Sequence, residues 1–219
     1  MRGVFVTGTD TEVGKTIVAA AVCAALGARG EAVAAFKPAV TGLDDDPGEF
    51  GRDHELLASV ASAGQTPDDV APYRFGPAVS PHLAAELAGT NIEPAELVAA
   101  ARAHELVVCE GVGGLLVPIT PGYLVRDLAM ELGLPLVIAG RPGLGTINHT
   151  LLTIEAARAG GLRVAAVVMT PWPDDPTPME RSNRDSIEGI GRVAVTGLPR
   201  TTPAGLAEAG ASLPIDDWL

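Results

Sequence analysis

Short apolar runs recur along this chain between amphipathic stretches. Residues 3–7, 32–36, 106–109, 134–139, 164–169 and 193–196 read as strands. Most are continuously apolar rather than alternating, which is the signature of strands covered on both faces. Between them, the spacing predicts helices near 15–29, 53–63, 94–104, 124–132, 147–160 and 178–190. Several of these reach a glycine (Gly30, Gly64, Gly133, Gly160), which suits a left-handed C-cap. Alternating strands and helices predict an α/β fold: a mainly parallel sheet with right-handed crossovers and helices on both faces. Ligands of such sheets bind beyond the carboxyl ends of the strands. Two stretches read as active loops. One is the acidic, turn-rich 41–49; the other is 170–178, whose four prolines exclude a helix and favour extended or turn geometry.

Composition narrows the class. At 219 residues and 47% apolar content, with mean hydropathy +0.27, residues 1–219 are expected to form a single domain with a sizeable core. No repeat or long linker divides them. The formal charge of -12 argues against general nucleic-acid binding, because a phosphate backbone demands a positive surface. A phosphate ligand must then be held by local design. Cys23 and Cys109 sit inside apolar runs, as small buried residues of a reducing compartment do. No Cys/His cluster has zinc spacing. The N-terminus enters a strand at once without a signal-peptide layout, and no apolar run is long enough to span a membrane. A cytoplasmic protein without membrane partners is the expectation.

The strand ends carry the chemistry. After the first strand comes Gly8-Thr-Asp-Thr-Glu-Val-Gly-Lys-Thr16, a P-loop-like segment with five residues, not four, between its glycines. A glycine-bounded loop feeding a helix N-terminus gathers backbone N–H groups around phosphate. Lys15 reaches the β/γ-phosphates in such a loop, and the Thr16 hydroxyl meets Mg²⁺. After the second strand stands Lys37, either a neutraliser of a transferring phosphoryl group or a snorkelling surface lysine. Asp53 opens a helix, where the residue pattern leaves an N-cap and a Mg²⁺ ligand equally open. Glu110 ends the third strand and precedes Gly111-Val112-Gly113-Gly114, as a second carboxylate near Mg²⁺ would. Gly143 to Thr150 is a second glycine-rich loop entering a helix, an anion site or ordinary capping by Thr146. His54, His82, His104 and His149 share no pattern, and Asp44-Asp45-Asp46 reads as a solvated loop.

Five segments in this order resemble the dethiobiotin synthetase family: the phosphate loop, Lys37-Pro38 with Thr41-Gly42, Ser80-Pro81-His82, Glu110 to Gly114, and Gly145-Thr-Ile-Asn-His149. The resemblance runs from the first strand to about residue 170. It implies a P-loop NTP hydrolase-like fold and the penultimate, ATP-dependent step of biotin synthesis. There, 7,8-diaminopelargonate and CO₂ give a carbamate, the carbamate takes the γ-phosphoryl group, and the second amine closes the ureido ring. Carried over by motif, Thr16, Asp53 and Glu110 resemble the Mg²⁺ ligands, and Lys37 and Lys15 the catalytic lysines. Glu12, Val13, Gly14, Lys15, Thr16 and Ile17 match nucleotide-binding positions, joined by Asp53, Glu110, Gly111, Val112 and Gly113. Thr11 and Thr41 match substrate contacts. Thr146, Ile147 and Asn148 match the loop that holds the substrate carboxylate of a second subunit, so a homodimer with a shared site is implied.

One departure concerns the base. Members of the family commonly carry an asparagine after the fifth strand to read adenine; here the chain has Thr170-Pro171-Trp172. Threonine and proline lack the paired donor and acceptor of a carboxamide. Recognition is then expected from backbone near Thr170 and Pro171 and around Pro199, Arg200 and Thr201, with weaker preference for ATP over other nucleoside triphosphates. The nearest rival is a switch ATPase of the partition or division-site type. Those proteins carry a signature lysine early in the loop where this chain has Asp10. An amidotransferase-type cobyrinate synthase needs a glutaminase domain for which the chain has no room.

Overall fold

The computed structural model describes residues 1–219. The first half of the chain runs β1 (Arg2–Gly8), α1 (Lys15–Ala28), β2 (Ala34–Phe36), β3 (Ala39–Val40), α2 (Asp53–Val60), α3 (Pro67–Val70), β4 (Tyr73–Arg74), α4 (Pro81–Leu87) and α5 (Pro94–Arg102). It continues through β5 (Leu106–Glu110), β6 (Pro118–Thr120), β7 (Tyr123–Leu124), α6 (Val125–Leu132), β8 (Leu136–Gly140), α7 (Thr146–Ala159), β9 (Val164–Trp172), α8 (Pro178–Gly191), β10 (Val195–Pro199) and α9 (Leu206–Ala211). Six strands form one parallel sheet in the order β10–β9–β8–β1–β5–β2.

Both faces of that sheet are covered, and the pleat sorts its apolar residues between them. Val4, Val6, Val108, Val137 and Val168 join one core with α1, α2, α9 and the C-terminal Trp218. Phe5, Val107, Cys109, Ile138 and Met169 join the other, against α5, α6, α7 and α8. Successive side chains point to opposite faces, so two-sided burial turns the alternation into unbroken apolar runs. Both cysteines are buried and unpaired. No helix is long and apolar enough to cross a membrane.

Several boundaries differ from expectation. β8 starts at Leu136 and β10 at Val195, because ladder pairing with β1 and β9 begins there. α2 stops at Val60, where Ala61 turns extended, so Gly64 caps nothing. Gly160 keeps a negative φ of -85°, and the left-handed residue is Gly161. β9 runs on through Thr170 and Pro171; β8 has ended opposite Met169, so the missing proline N–H interrupts no bond on that side. The short α3, α4 and α9 and the strand pairs β3–β4 and β6–β7 are too brief to leave a periodic signal.

The C-terminal segment closes one core by crossing α1 at Gly210, where an added Cβ would stand 2.0 Å from the Ala21 carbonyl oxygen. Helix propensity alone makes Gly→Ala favourable by about 1 kcal/mol. Gly189→Ala in α8, with nothing within 4 Å of the new methyl, should follow propensity and raise the thermal midpoint. Gly210→Ala should instead cost about 1–3 kcal/mol by overpacking and lower it. Thermal unfolding of the two variants checks the opposite signs.

Candidate active site

Sheet register builds the centre of the site. Phe36 of β2 pairs with Cys109 of β5, so the next residues, Lys37 and Glu110, emerge side by side at the strand ends. Lys37 Nζ donates to Glu110 Oε1 at 2.6 Å and to Asp53 Oδ2, on the first residue of α2, at 2.7 Å. Thr16 Oγ1 donates to the same Glu110 Oε1 at 2.9 Å. Glu110 is fully buried and Lys37 nearly so, while the Asp53 side chain keeps 43% of its surface. Burial works against the Lys37 ammonium, yet Glu110 and Asp53 outweigh it and hold its pKa above the ordinary lysine value. Burial pushes Glu110 upward against the pull of Lys37. Asp53 lies below the usual carboxylate range, because Lys37 overcomes its desolvation.

The phosphate loop closes over this centre. Gly14 is the N-cap of α1 with φ 91°, and a Cβ there would stand 2.5 Å from Thr170 Cγ2. Only glycine meets both demands. Glu12 also holds a positive φ, 57°, a strained setting for a residue with a side chain. Lys15 Nζ reaches back to the Asp10 carbonyl oxygen at 2.8 Å, and burial lowers its pKa. The backbone N–H groups of Gly14, Lys15, Thr16 and Ile17 donate to no group of the protein. Four free donors at a helix N-terminus form an anion cradle.

A cavity of about 340 Å³ lies over the loop, lined by Glu12, Lys15, Thr16, Lys37, Asp53 and Glu110 among others. It shares Thr11, Glu12, Thr41, Asp53, Val112 and Gly113 with a cavity of about 570 Å³ that opens toward Ser80 and Pro81. Glu110 Oε2 is buried with no partner. That orphaned oxygen, the Thr16 hydroxyl and Asp53 suit a hard cation that takes one or two carboxylates and completes its shell with phosphate and water. No group of three His, Cys, Asp or Glu side chains forms an all-protein cage.

Many of the other expected residues lie outside these cavities. Val13 is buried and presents only backbone to the loop. Gly111 donates its N–H to the Val6 carbonyl and lines neither cavity. Thr170 is 4% exposed and packs against Gly14, so its side chain holds the phosphate loop. Pro171 is exposed, Trp172 pairs with Pro199, and Arg200 and Thr201 follow directly. Thr146, Ile147 and Asn148 line neither cavity. The α7 N-cap is Gly145, not Thr146, whose buried hydroxyl lies 3.4 Å from that of Thr150. The N–H groups of Ile147 and Asn148 have no partner in the protein. The acidic triplet is exposed as expected, although Asp45 and Asp46 line the larger cavity.

Two site residues carry no pattern in the sequence. Arg52 donates to the Gly42 and Leu43 carbonyls at 3.0 and 2.8 Å and pins the loop that presents Thr41. Asn183 of α8 grips the loop before α7. Neither has a signal beyond its residue type, because each acts on backbone carbonyls brought close only by folding.

A family model described as an AAA domain matches residues 2–201. The chain is 46% identical over 183 residues to the ATP-dependent dethiobiotin synthetase BioD of Anaeromyxobacter dehalogenans strain 2CP-1, covering 81% of each chain. It is 35% identical over 202 residues to the enzyme of that name from Bacillus subtilis strain 168, covering 90% of this chain and 87% of the relative. Among solved structures, the cell division ATPase MinD of Pyrococcus furiosus superposes with a TM-score of 0.56 at 18% identity, over 96% of this chain and 95% of its own. That likeness is one of fold.

Removing one partner of a buried pair strands the other charge and typically costs about 3–5 kcal/mol. Lys37→Met should therefore destabilise the protein at pH 8. Glu110 already sits above its ordinary pKa through burial, and without Lys37 it rises further. A carboxyl with a folded pKa above its unfolded value contributes stability at low pH that is lost as pH rises. The deficit of Lys37→Met should shrink as pH falls from 8 toward 5. Urea unfolding of both proteins across that range measures it, and a deficit that grows on acidification would refute the assignment.

Proposed function

The chain belongs to the ATP-dependent dethiobiotin synthetases, and on that premise we propose how its residues divide the work. The enzyme is a ligase that forms carbon–nitrogen bonds. An amine of 7,8-diaminopelargonate adds to CO₂, and the carbamate oxygen attacks the γ-phosphorus of ATP with departure of ADP. The second amine then attacks the carbamoyl carbon, expels phosphate and closes the ureido ring of dethiobiotin.

The observation that carries the residue assignment is the buried Lys37 ammonium between Glu110 and Asp53, beside the free N–H groups of the phosphate loop. A carbamate approaching a triphosphate is an anion meeting an anion. Fixed positive groups at the meeting point lower the barrier without rearranging as charge moves. Lys37 holds the carbamate and the transferring phosphoryl oxygens; Lys15 and the N–H groups of residues 14–17 hold the phosphate chain. Thr16, Asp53 and Glu110 hold Mg²⁺, which when bound neutralises phosphate charge. Thr11 and Thr41 orient the diamine in the larger cavity, which they line. Glu12, Val112 and Gly113 border the nucleotide side.

The substrate carboxylate is assigned to the free N–H groups of Ile147 and Asn148 of a second subunit. Support comes from their absence from the cavities of their own protomer. Exposed apolar side chains add to it: Leu144 at 92%, Leu152 at 56% and Leu116 at 52% are costly to leave in water and suit a homodimer contact. The base is assigned to backbone around residues 170–171 and 199–201, whose strand ends run side by side. The protein works as one domain in the cytoplasm.

The direct test mixes the protein with diaminopelargonate, bicarbonate, Mg²⁺ and ATP and follows phosphate. Release should depend on the diamine; diamine-independent release would favour a switch ATPase. In the same assay Lys37→Gln should lower turnover by about 10²–10³, the loss typical of one fixed charge-stabilising donor, with ATP affinity little changed. Equal losses in turnover and affinity would remove Lys37 from its role. In competition among nucleoside triphosphates, CTP and GTP should support turnover within about tenfold of ATP, a gap of about 1.4 kcal/mol. Strong exclusion of both would show that a side chain reads the base.

A further inference from the structure

The loop assigned to the substrate carboxylate is held by a residue outside it, and we infer that Asn183 is the positioning residue that aims this loop. Asn183 lies in α8, is 6% exposed, and stands forty residues from the loop in sequence. Its Nδ2 donates to the Pro142 carbonyl at 2.9 Å and to the Gly143 carbonyl at 3.2 Å. The Gly143 carbonyl also accepts from the Thr146 N–H at 3.3 Å. One side-chain amide thus ties together the loop and the first turn of α7.

The tie matters because Thr146 and Ile147 are seated against the core, whereas the segment that leads into them has little else to hold it. Gly145 caps α7 in the left-handed region at φ 92° without a side-chain bond, and a Cβ there would touch nothing within 4 Å. Leu144 is almost wholly exposed. The loop therefore has neither packing nor a cap of its own on its outer side. Without Asn183, the free N–H groups of Ile147 and Asn148 would point at the carboxylate only part of the time. Each conformer lost from the binding-competent set weakens apparent affinity in proportion. The phosphoryl-transfer centre at Lys37 and Glu110 stands on other strands, so its chemistry is untouched. Asn183 acts on diamine binding and not on turnover.

The inference rests on the reading that a partner subunit's 146–148 loop receives the substrate carboxylate. Steady-state phosphate release is measured against diaminopelargonate and, separately, against ATP, for the wild type, Asn183→Ala and Asn183→Asp. Asn183→Ala removes both donors without adding a charge and keeps the test readable if the aspartate variant does not fold. It should raise the KM for the diamine about tenfold, the effect of losing binding by roughly one strong hydrogen bond. The kcat and the KM for ATP should stay within about twofold, since a factor of two is only about 0.4 kcal/mol. Asn183→Asp, of the same shape but with an acceptor facing two carbonyls, should move the diamine KM further in the same direction. An unchanged diamine KM overturns the inference, as does a fall in kcat together with a rise in both KM values, which is what general loosening gives. Light scattering separates the two layers. A monomeric wild type at assay concentration removes the shared-site reading itself, whereas a dimer whose diamine KM responds to Asn148→Pro, which deletes one of the free N–H groups within the first turn of α7, but not to Asn183→Ala removes only the role of Asn183.

Discussion

A lysine taken out of water between two carboxylates is the constraint around which this molecule is arranged. Desolvating an ion costs several kcal/mol, repaid only when its partners sit in good geometry. Lys37 meets that condition through three independent elements: it follows β2 directly, β5 carries Glu110, and α2 begins with Asp53. The β2–β5 register sets the first pairing, and a slip of one residue would send each side chain to the opposite face. Thr16 adds α1 to the same knot through Glu110 Oε1. The stability of the fold and the placement of positive charge at the strand ends are therefore one problem with one solution. Glu110 Oε2, left without a partner, marks where that solution is incomplete until a ligand arrives.

The global charge makes this local arrangement necessary. At -12, the protein repels a triphosphate at long range, although salt screens that repulsion beyond about 8 Å at physiological ionic strength. Within the site the positive groups are placed rather than numerous. Lys15, Lys37 and the free N–H groups of α1 line a cavity of about 340 Å³ beside the carboxylates of Glu12, Asp53 and Glu110. Attraction that operates only at contact selects ligands that fit the loop over polyanions in general, which suits a small-molecule enzyme better than a nucleic-acid binder.

Residues next to a strong local signal were legible before the fold was known. Lys37 and Glu110 each break an unbroken apolar run at its end, and a charge there needs a reason. The phosphate loop announces itself through glycines and Gly-Lys-Thr. What stayed hidden belongs to tertiary contact. Thr170 is expected to offer its backbone to the base, but nothing in the sequence says that its methyl fills the space beside Gly14. Arg52 and Asn183 look like ordinary surface residues, because their partners are backbone carbonyls with no identity in the sequence. Thr146 resembles a helix cap by type, but its side chain turns inward to Thr150 and leaves Gly145 to start α7. Helix ends slipped for a related reason: adjacent glycines at 160 and 161 offer two equivalent stops, and packing chooses between them.

The two glycine loops that open α1 and α7 follow one plan with different supports. Both are glycine loops opening a helix, with a left-handed glycine at the N-cap: Gly14 before α1 and Gly145 before α7. At the first, Thr170 packs onto the glycine and Lys15 closes the loop, so the cradle is held by contacts within the protein. That suits phosphoryl transfer, where small misplacements are costly. At the second, one buried amide holds the carbonyls from behind while the outer surface stays bare. A partner subunit can supply that missing contact and the substrate to be held. On the proposed assignment the difference in support between the loops follows from their tasks: the first holds the reacting phosphates, and the second the far end of a flexible chain.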